Sequence, residues 1–271
     1  MTMYKALTIA GSDTSGGAGI QADLKTFQER GVYGMTALTV IVAQDPHRDW
    51  FHEVFPIEVD TLDKQIETVA AGIGVDAVKT GMLGSTNIID LVARKIDQHR
   101  LKNVVVDPVM VCKGADEVLH PETAVHLREV LVPRATIVTP NLFEAGQLSQ
   151  LGALRTVDDM KEAAQRIHAL GASYVLVKGG GKLQHDKAVD VLYDGDAFEI
   201  LEADRINTTY THGAGCTYSA AICAELAKGR SVRDAVYAAK AFITEAIRHS
   251  FPLNQYVGPT NHAAYRLVHK P

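Results

Sequence analysis

Apolar, β-branched runs alternate with amphipathic stretches along nearly the whole chain, and this alternation restricts the fold more than any other feature. Strands are expected at residues 6–10, 37–42, 77–79, 104–107, 136–139 and 174–178, with helices at 20–29, 62–72, 88–99, 121–130 and 157–170 between them. A strand followed each time by a helix returns the chain to the same edge, so the pattern predicts an α/β fold with a mostly parallel central sheet and helices on both faces. Late in the chain the rhythm changes. Residues 189–193 and 197–201 flank Asp194-Gly195-Asp196, which reads as an antiparallel hairpin, and two helices follow at 214–228 and 232–250.

An open sheet of this type binds ligands beyond the carboxyl ends of its strands. Polar or glycine-rich segments fall at each of those ends: Gly11-Ser12-Asp13, Gln44-Asp45, Thr80-Gly81-Met82, Asp107-Pro108, Pro140-Asn141 with Glu144, and Gly179-Gly180-Gly181. One such coincidence means little; the full set argues for a composite site. At 271 residues and 46% hydrophobic content, with no linker or repeat, one domain over 1–271 accounts for the chain. A net charge of 27 − 32 = −5, without basic clusters, argues against nucleic acid as a partner. No segment approaches the ~18 apolar residues of a membrane span, and the start of the chain does not read as a signal peptide. Three cysteines without a CxxC pair, Cys112, Cys216 and Cys223, suit a reducing cytoplasm.

Thr211-His212-Gly213-Ala214-Gly215-Cys216-Thr217 joins a glycine-flanked turn to the start of a small-residue helix. Amides at a helix N-terminus lack intrahelical partners and carry the positive end of the dipole, so they make an anion site and bias a cysteine there toward thiolate. The pairing suggests phosphoryl transfer; a glycine loop capping a buried helix with an inert thiol is the plainer reading. The first loop, residues 11–23, places glycines near another helix start without the dinucleotide-binding fingerprint. Asp13 would accept a ligand hydrogen bond there, or act as a helix N-cap. Gly179-Gly180-Gly181-Lys182 lacks Walker A spacing and suits close approach of a base or sugar, with Lys178 facing phosphate, or else a simple turn into the hairpin. Asp107, Asn141 and Glu144 are oxygen donors suited to a hydrated Mg²⁺ beside phosphates, although Asn141 and Glu144 also read as a helix cap with an acidic first turn. Cys112 sits in a glycine- and charge-flanked loop, and Cys223 reads as core. Neither Trp50 nor the eleven histidines show zinc-ligand spacing.

Taken in order, AGSDTSGGAGIQADLKT, KTGML, DPVM, TPNLFEA, KGGG and THGAGCT span essentially the full length. The chain thereby resembles the ribokinase-like superfamily, in the branch that holds hydroxymethylpyrimidine (phosphate) kinases and bacterial pyridoxal kinases. The resemblance implies ATP-dependent phosphorylation of a hydroxymethyl group on a heteroaromatic ring. It implies Gly213, Ala214, Gly215 and Cys216 as the anion hole, with Cys216 as base where many relatives carry aspartate. It places Gly11, Asp13, Gln44, Met82 and Val109 around the ring, and Lys178, Gly179, Gly180, Gly181, Thr211 and Lys240 along ATP. Asp107, Asn141 and Glu144 would hold Mg²⁺ through water and phosphate; a supporting K⁺ is left open. DPVMVCKGADEV resembles the pyridoxal kinases of Gram-positive type, in which a second cysteine lies in the flap, so Cys112 would close over the substrate and add to an aldehyde. Vitamin B6 salvage is therefore the expected role. The alternatives are a hydroxymethylpyrimidine or hydroxymethylpyrimidine phosphate kinase of thiamin synthesis, which Gln44 would also suit, and a vitamin- or nucleotide-binding sensor without turnover. The family implies a homodimer.

Overall fold

A computed structural model describes residues 3–110 and 121–269. Among the described residues nine strands form one sheet in the order β3-β2-β1-β4-β5-β6-β7-β8-β9. Six run parallel: β1 (Lys5–Asp13), β2 (Tyr33–Asp45), β4 (Ala77–Thr80), β5 (Val104–Val106), β6 (Ile137–Val138) and β7 (Tyr174–Gly180). The antiparallel strands lie at the two edges: β3 (Phe51–Pro56) against β2, and the hairpin β8 (Lys187–Tyr193) and β9 (Phe198–Asp204) beyond β7.

Residues alternate between the two faces of the sheet, as the pleat demands. Leu7, Val106, Val175 and Val177 pack toward α2 (Val59–Ala70), α3 (Thr86–Gln98), α5 (Leu142–Ser149) and α6 (Val157–His168). Their neighbours Ala6, Val105 and Leu176 pack toward α1 (Gly19–Glu29), α7 (Ala214–Ala227) and α8 (Val232–Arg248). Helix α4 (Pro121–His126) runs into a π turn at Leu127–Leu131, shorter than the regular helix expected there, and α9 (Ala264–Val268) covers α8.

Helix α7 is enclosed on every side, every residue from Thr217 to Ala227 being buried. Ala220, Ala221, Ala224 and Ala227 let it approach the sheet closely, and Cys223 is core as expected. Its far end is pinned by Glu225, whose buried carboxylate meets Arg30, Lys228 and Arg230. Strand β3 escaped sequence reading because its side chains are exposed or half-buried throughout, leaving no two-residue hydrophobic rhythm. Strands β1 and β2 run on to Asp13 and Asp45, so the first two strand-end segments lie within the strands. Among the described residues no helix is long and apolar enough to cross a membrane.

Candidate active site

A cleft of about 1010 Å³ runs across the carboxyl ends of the parallel strands. It collects Gly11, Asp13, Gln44, Met82, Val109, Asp107, Asn141, Glu144, Lys178, Gly179, Gly180, Gly181, Thr211, Gly213, Ala214, Gly215, Cys216 and Lys240 along its walls. Cys112 lies outside the described residues.

Two helix N-termini meet at the floor. Neither Ala18 before α1 nor Gly213 before α7 caps its helix with a side chain, whereas Ser85, Asn141, Thr156 and Ser231 cap α3, α5, α6 and α8. Gly213 adopts a left-handed φ of 76°, and a Cβ there would stand 1.7 Å from the Gly17 carbonyl oxygen, so only glycine fits. The Ala214 amide already donates to Thr211 O at 3.1 Å, which corrects its expected share in the anion hole. The Gly215 and Cys216 amides have no acceptor within the helix and remain for an anion. The Gly19 amide at the head of α1 donates to the Cys216 sulfur.

Beneath this turn lie two ion pairs. Lys79 Nζ donates to Asp23 at 2.9 Å, both side chains fully buried, and Thr8 donates to the same carboxylate at 2.6 Å. Lys178 Nζ donates to Asp107 at 3.0 Å, with Ser219 at 3.0 Å and Thr139 at 3.2 Å completing that carboxylate's shell. Burial opposes ionisation of Asp107, yet Lys178 and Lys79 hold its carboxyl below the usual range. Lys178 Nζ lies 3.4 Å from where a Gly215 side chain would begin, which puts a positive charge at the edge of the anion hole. Lys79 was not singled out from the sequence. It is also the main charge acting to lower the Cys216 pKa.

Cys216 corrects the expectation of a thiolate. Removal from water pushes its thiol up to about 11, against the pull of Lys79 and with the help of Asp23 and Asp107. Position at a helix N-terminus is visible in a sequence, but the desolvation that outweighs it is not.

At the acceptor end, Gly11 sits at a register irregularity in β1, and a Cβ there would stand 2.6 Å from Val40 Cγ2. Asp13 does not offer the free acceptor for a ligand that the sequence leads one to expect. Its carboxylate takes hydrogen bonds from the Ser15, Gly17 and Ala18 amides, the Ser15 hydroxyl, Gln44 Nε2 at 2.7 Å and His212 Nε2 at 2.7 Å. Burial works against its charge, but His212, Ser15 and Ala18 hold the carboxyl well below its ordinary range.

At the other end, Lys240 is likewise committed. Its Nζ donates to buried Asp190 at 2.7 Å and to Ala188 O at 3.2 Å, and Asp190 accepts the Gly179 amide at 3.1 Å. Lys240 lines the cleft and braces the glycine loop through Asp190. Arg205, which sequence reading missed, ties the same loop down by donating to the carbonyls of Gly181, Leu183 and His185. Asn141 and Glu144 form a reciprocal capping box, realising the structural alternative for both: Asn141 Oδ1 accepts the Glu144 amide at 3.0 Å, and Glu144 Oε2 accepts the Asn141 amide at 2.8 Å. Burial pushes the Glu144 carboxyl up, Lys178 opposing and Asp107 adding to it.

Behind α7, Thr217 contacts His262 Nε2 at 3.0 Å. Burial and then the Lys25 charge lower this imidazole from its ordinary 6.5 to about 4. Between those values the unfolded chain takes up a proton that the folded one refuses, so acid destabilises. The stability at stake, about 3 kcal/mol, is intact above pH 6.5 and lost as the pH falls through 4. Denaturant unfolding of wild type and His262→Gln at pH 7.5 and pH 4 should therefore show a smaller acid loss in the variant. Equal losses would refute this account.

A strand-end cleft whose floor presents open helix amides, flanked by a lysine and buried carboxylates, is the site of a small-molecule kinase on a ribokinase-like fold. The chain belongs to the phosphomethylpyrimidine kinase family, whose model matches residues 13–261. It is 68% identical over 267 residues to pyridoxine kinase of Bacillus subtilis (strain 168), covering 98% of both chains. Its structure is similar to that of Bacillus subtilis pyridoxal kinase in an ADP complex, with a TM-score of 0.96, 68% identity, and coverage of 98% of this chain and 100% of the other. It is also similar to pyridoxal kinase from Staphylococcus aureus in complex with AMP-PCP and pyridoxal, with a TM-score of 0.91, 49% identity, and coverage of 97% and 95%.

Proposed function

We propose that this protein transfers the γ-phosphoryl group of ATP to the hydroxymethyl oxygen of a vitamin B6 ring (pyridoxal, pyridoxine or pyridoxamine) in salvage. One observation carries the reading. The open Gly215 and Cys216 amides and the Lys178 ammonium stand in a single cleft, between the glycine loop Gly179–Gly181 and the wall of Gly11, Gln44, Met82 and Val109. Donor nucleotide and acceptor ring can thus approach from opposite ends, with the positive groups where transferred charge develops. Identity with a pyridoxine kinase across almost the whole chain, and likeness to a pyridoxal kinase holding an ATP analogue and pyridoxal, support the B6 assignment.

In this reading the acceptor oxygen forms its bond to the γ-phosphorus, the bond from that phosphorus to ADP breaks, and the hydroxyl proton passes to Cys216 in its thiolate form, the minor form near neutral pH. Lys178 and the α7 amides hold the transferring oxygens. Mg²⁺ bound with the nucleotide supplies neutralisation of phosphate charge. Among the described residues no three His, Cys, Asp or Glu side chains converge to chelate a metal. The Glu144 carboxyl, pushed up by burial with Asp107 adding to it, fits an ion held by Asp107, Asn141 and Glu144 through water and phosphate. The exposed Phe51 and Phe55 of edge strand β3 offer an apolar face for the homodimer that belongs to this reading. A cytoplasmic setting fits the free thiols of Cys216 and Cys223.

The family description favours one competing substrate, hydroxymethylpyrimidine or its monophosphate. ATP turnover measured side by side with pyridoxal, pyridoxine, pyridoxamine, hydroxymethylpyrimidine and its monophosphate decides between them. Turnover of the B6 vitamers is expected, with some of hydroxymethylpyrimidine. Activity on the monophosphate alone would overturn the B6 reading.

A further inference from the structure

Asp13 and His212 stand 199 positions apart in sequence and 2.7 Å apart in space, and neither touches a catalytic group directly. A carboxylate can only accept hydrogen bonds. Because the Asp13 carboxyl is held well below its ordinary range, it is ionised at working pH. Gln44 must therefore turn its Nε2 amide toward Asp13 Oδ1, at 2.7 Å, and its Oε1 away from it. Gln44 lines the cleft, so its Oε1 can accept from a ring there, with the second Nε2 hydrogen beside it. The other Asp13 oxygen takes His212 Nε2 together with the Gly17 and Ala18 amides. The His212 ring in turn packs on Gly17, where a Cβ would stand 2.4 Å from His212 Cδ2, and the next residue is Gly213, the turn that opens the anion hole. One buried carboxylate thus joins the ring-reading side chain to the phosphoryl-transfer turn.

We propose that Asp13 is a positioning residue that turns the Gln44 amide so that its Oε1 accepts from the ring, and that holds it in register with the Gly213 turn. The site thereby selects hydroxymethyl heteroaromatic rings that present a hydrogen-bond donor, such as a ring hydroxyl, a ring N–H or an amino group. The inference rests on the phosphorylation reading above and adds the rule by which acceptors are chosen. Were Asp13 an asparagine, its own amide could rotate, and Gln44 could present either end to the cleft. A ring without a donor would then lose little by comparison, whereas in the wild type it leaves a buried acceptor unpaired.

Two matched pairs test this. Pyridoxine is compared with 3-deoxypyridoxine, which lacks the ring's mobile proton in either tautomer. Hydroxymethylpyrimidine is compared with its analogue lacking the amino group. In wild type the donor-bearing member should be favoured about tenfold or more in kcat/KM. Asp13→Asn should bring the ratio down toward one, mainly through KM. Gln44→Met should do the same with the Asp13 bonds to Ser15, Ala18 and His212 left in place, and it decides the matter alone if Asp13→Asn does not fold. A folded Asp13→Asn protein that binds ADP normally and keeps the wild-type ratio would overturn the proposal, as would an unchanged ratio in Gln44→Met. If the wild type phosphorylates none of these compounds, the kinase reading fails separately, and calorimetric binding of the same pairs still reads the ratio.

Discussion

Cys216→Ala is expected to lower kcat for ATP-dependent phosphorylation by about 10²–10⁴, the usual contribution of a positioned base, while leaving ADP affinity within a fewfold of wild type. The thiol sits at about 11, so near pH 7 only a small fraction is in the proton-accepting form. The sign of the pH effect follows directly: thiolate increases as pH rises toward 11, and kcat/KM should climb between pH 7 and 10. Cys216→Asp, which restores the residue that many ribokinase-like relatives carry, should keep activity but lose the alkaline limb, because a carboxylate is already ionised across that range. Steady-state rates of the three proteins over this pH range make the test. A Cys216→Ala enzyme within about threefold of wild type, against the ~10²-fold minimum for a base, would remove the residue from proton transfer.

Gly213→Ala should be nearly as damaging for a different reason. The residue holds a φ of 76°, and an added methyl would overlap the Gly17 carbonyl oxygen at 1.7 Å. The turn must then shift, carrying the Gly215 and Cys216 amides away from the transferring phosphoryl group. Loss of one such donor costs about 10²–10³ in rate, and two move together here. A drop of at least 10² in kcat is expected, accompanied by weaker AMP-PCP binding in calorimetry. A variant that loses rate but binds ADP and AMP-PCP normally would show that these amides hold the acceptor rather than the phosphates.

Much of this architecture was legible in the chain because the physics behind it is local. Six parallel strands and the closing hairpin announce themselves through β-branched runs and turn residues, and the strand-end segments then fall at one edge by topology alone. What stayed hidden depends on distance or depth. The Asp13–His212 bond spans almost the whole sequence, and no spacing rule marks it. Lys79 reads as an ordinary strand residue until the fold buries it beside Asp23. The resemblance places Lys240 along ATP, but nothing in the sequence marks its partner Asp190, fifty positions earlier. The Cys216 error is of the same kind, since helix polarity can be read from residues but removal from water cannot.

The enclosure of α7 has a consequence for how such a protein can change over time. Alanines fix its distance from the sheet, and the Glu225 cluster anchors its far end. A larger residue anywhere along it would displace the very amides that receive phosphate. Met82 and Val109 answer to no comparable constraint, since their side chains line the open cleft beyond the strands. Mutation can thus explore new acceptor rings at those positions while the transfer chemistry is inherited intact. In a lineage descended from one ancestral kinase, substrate range should drift at the strand ends long before the helix does.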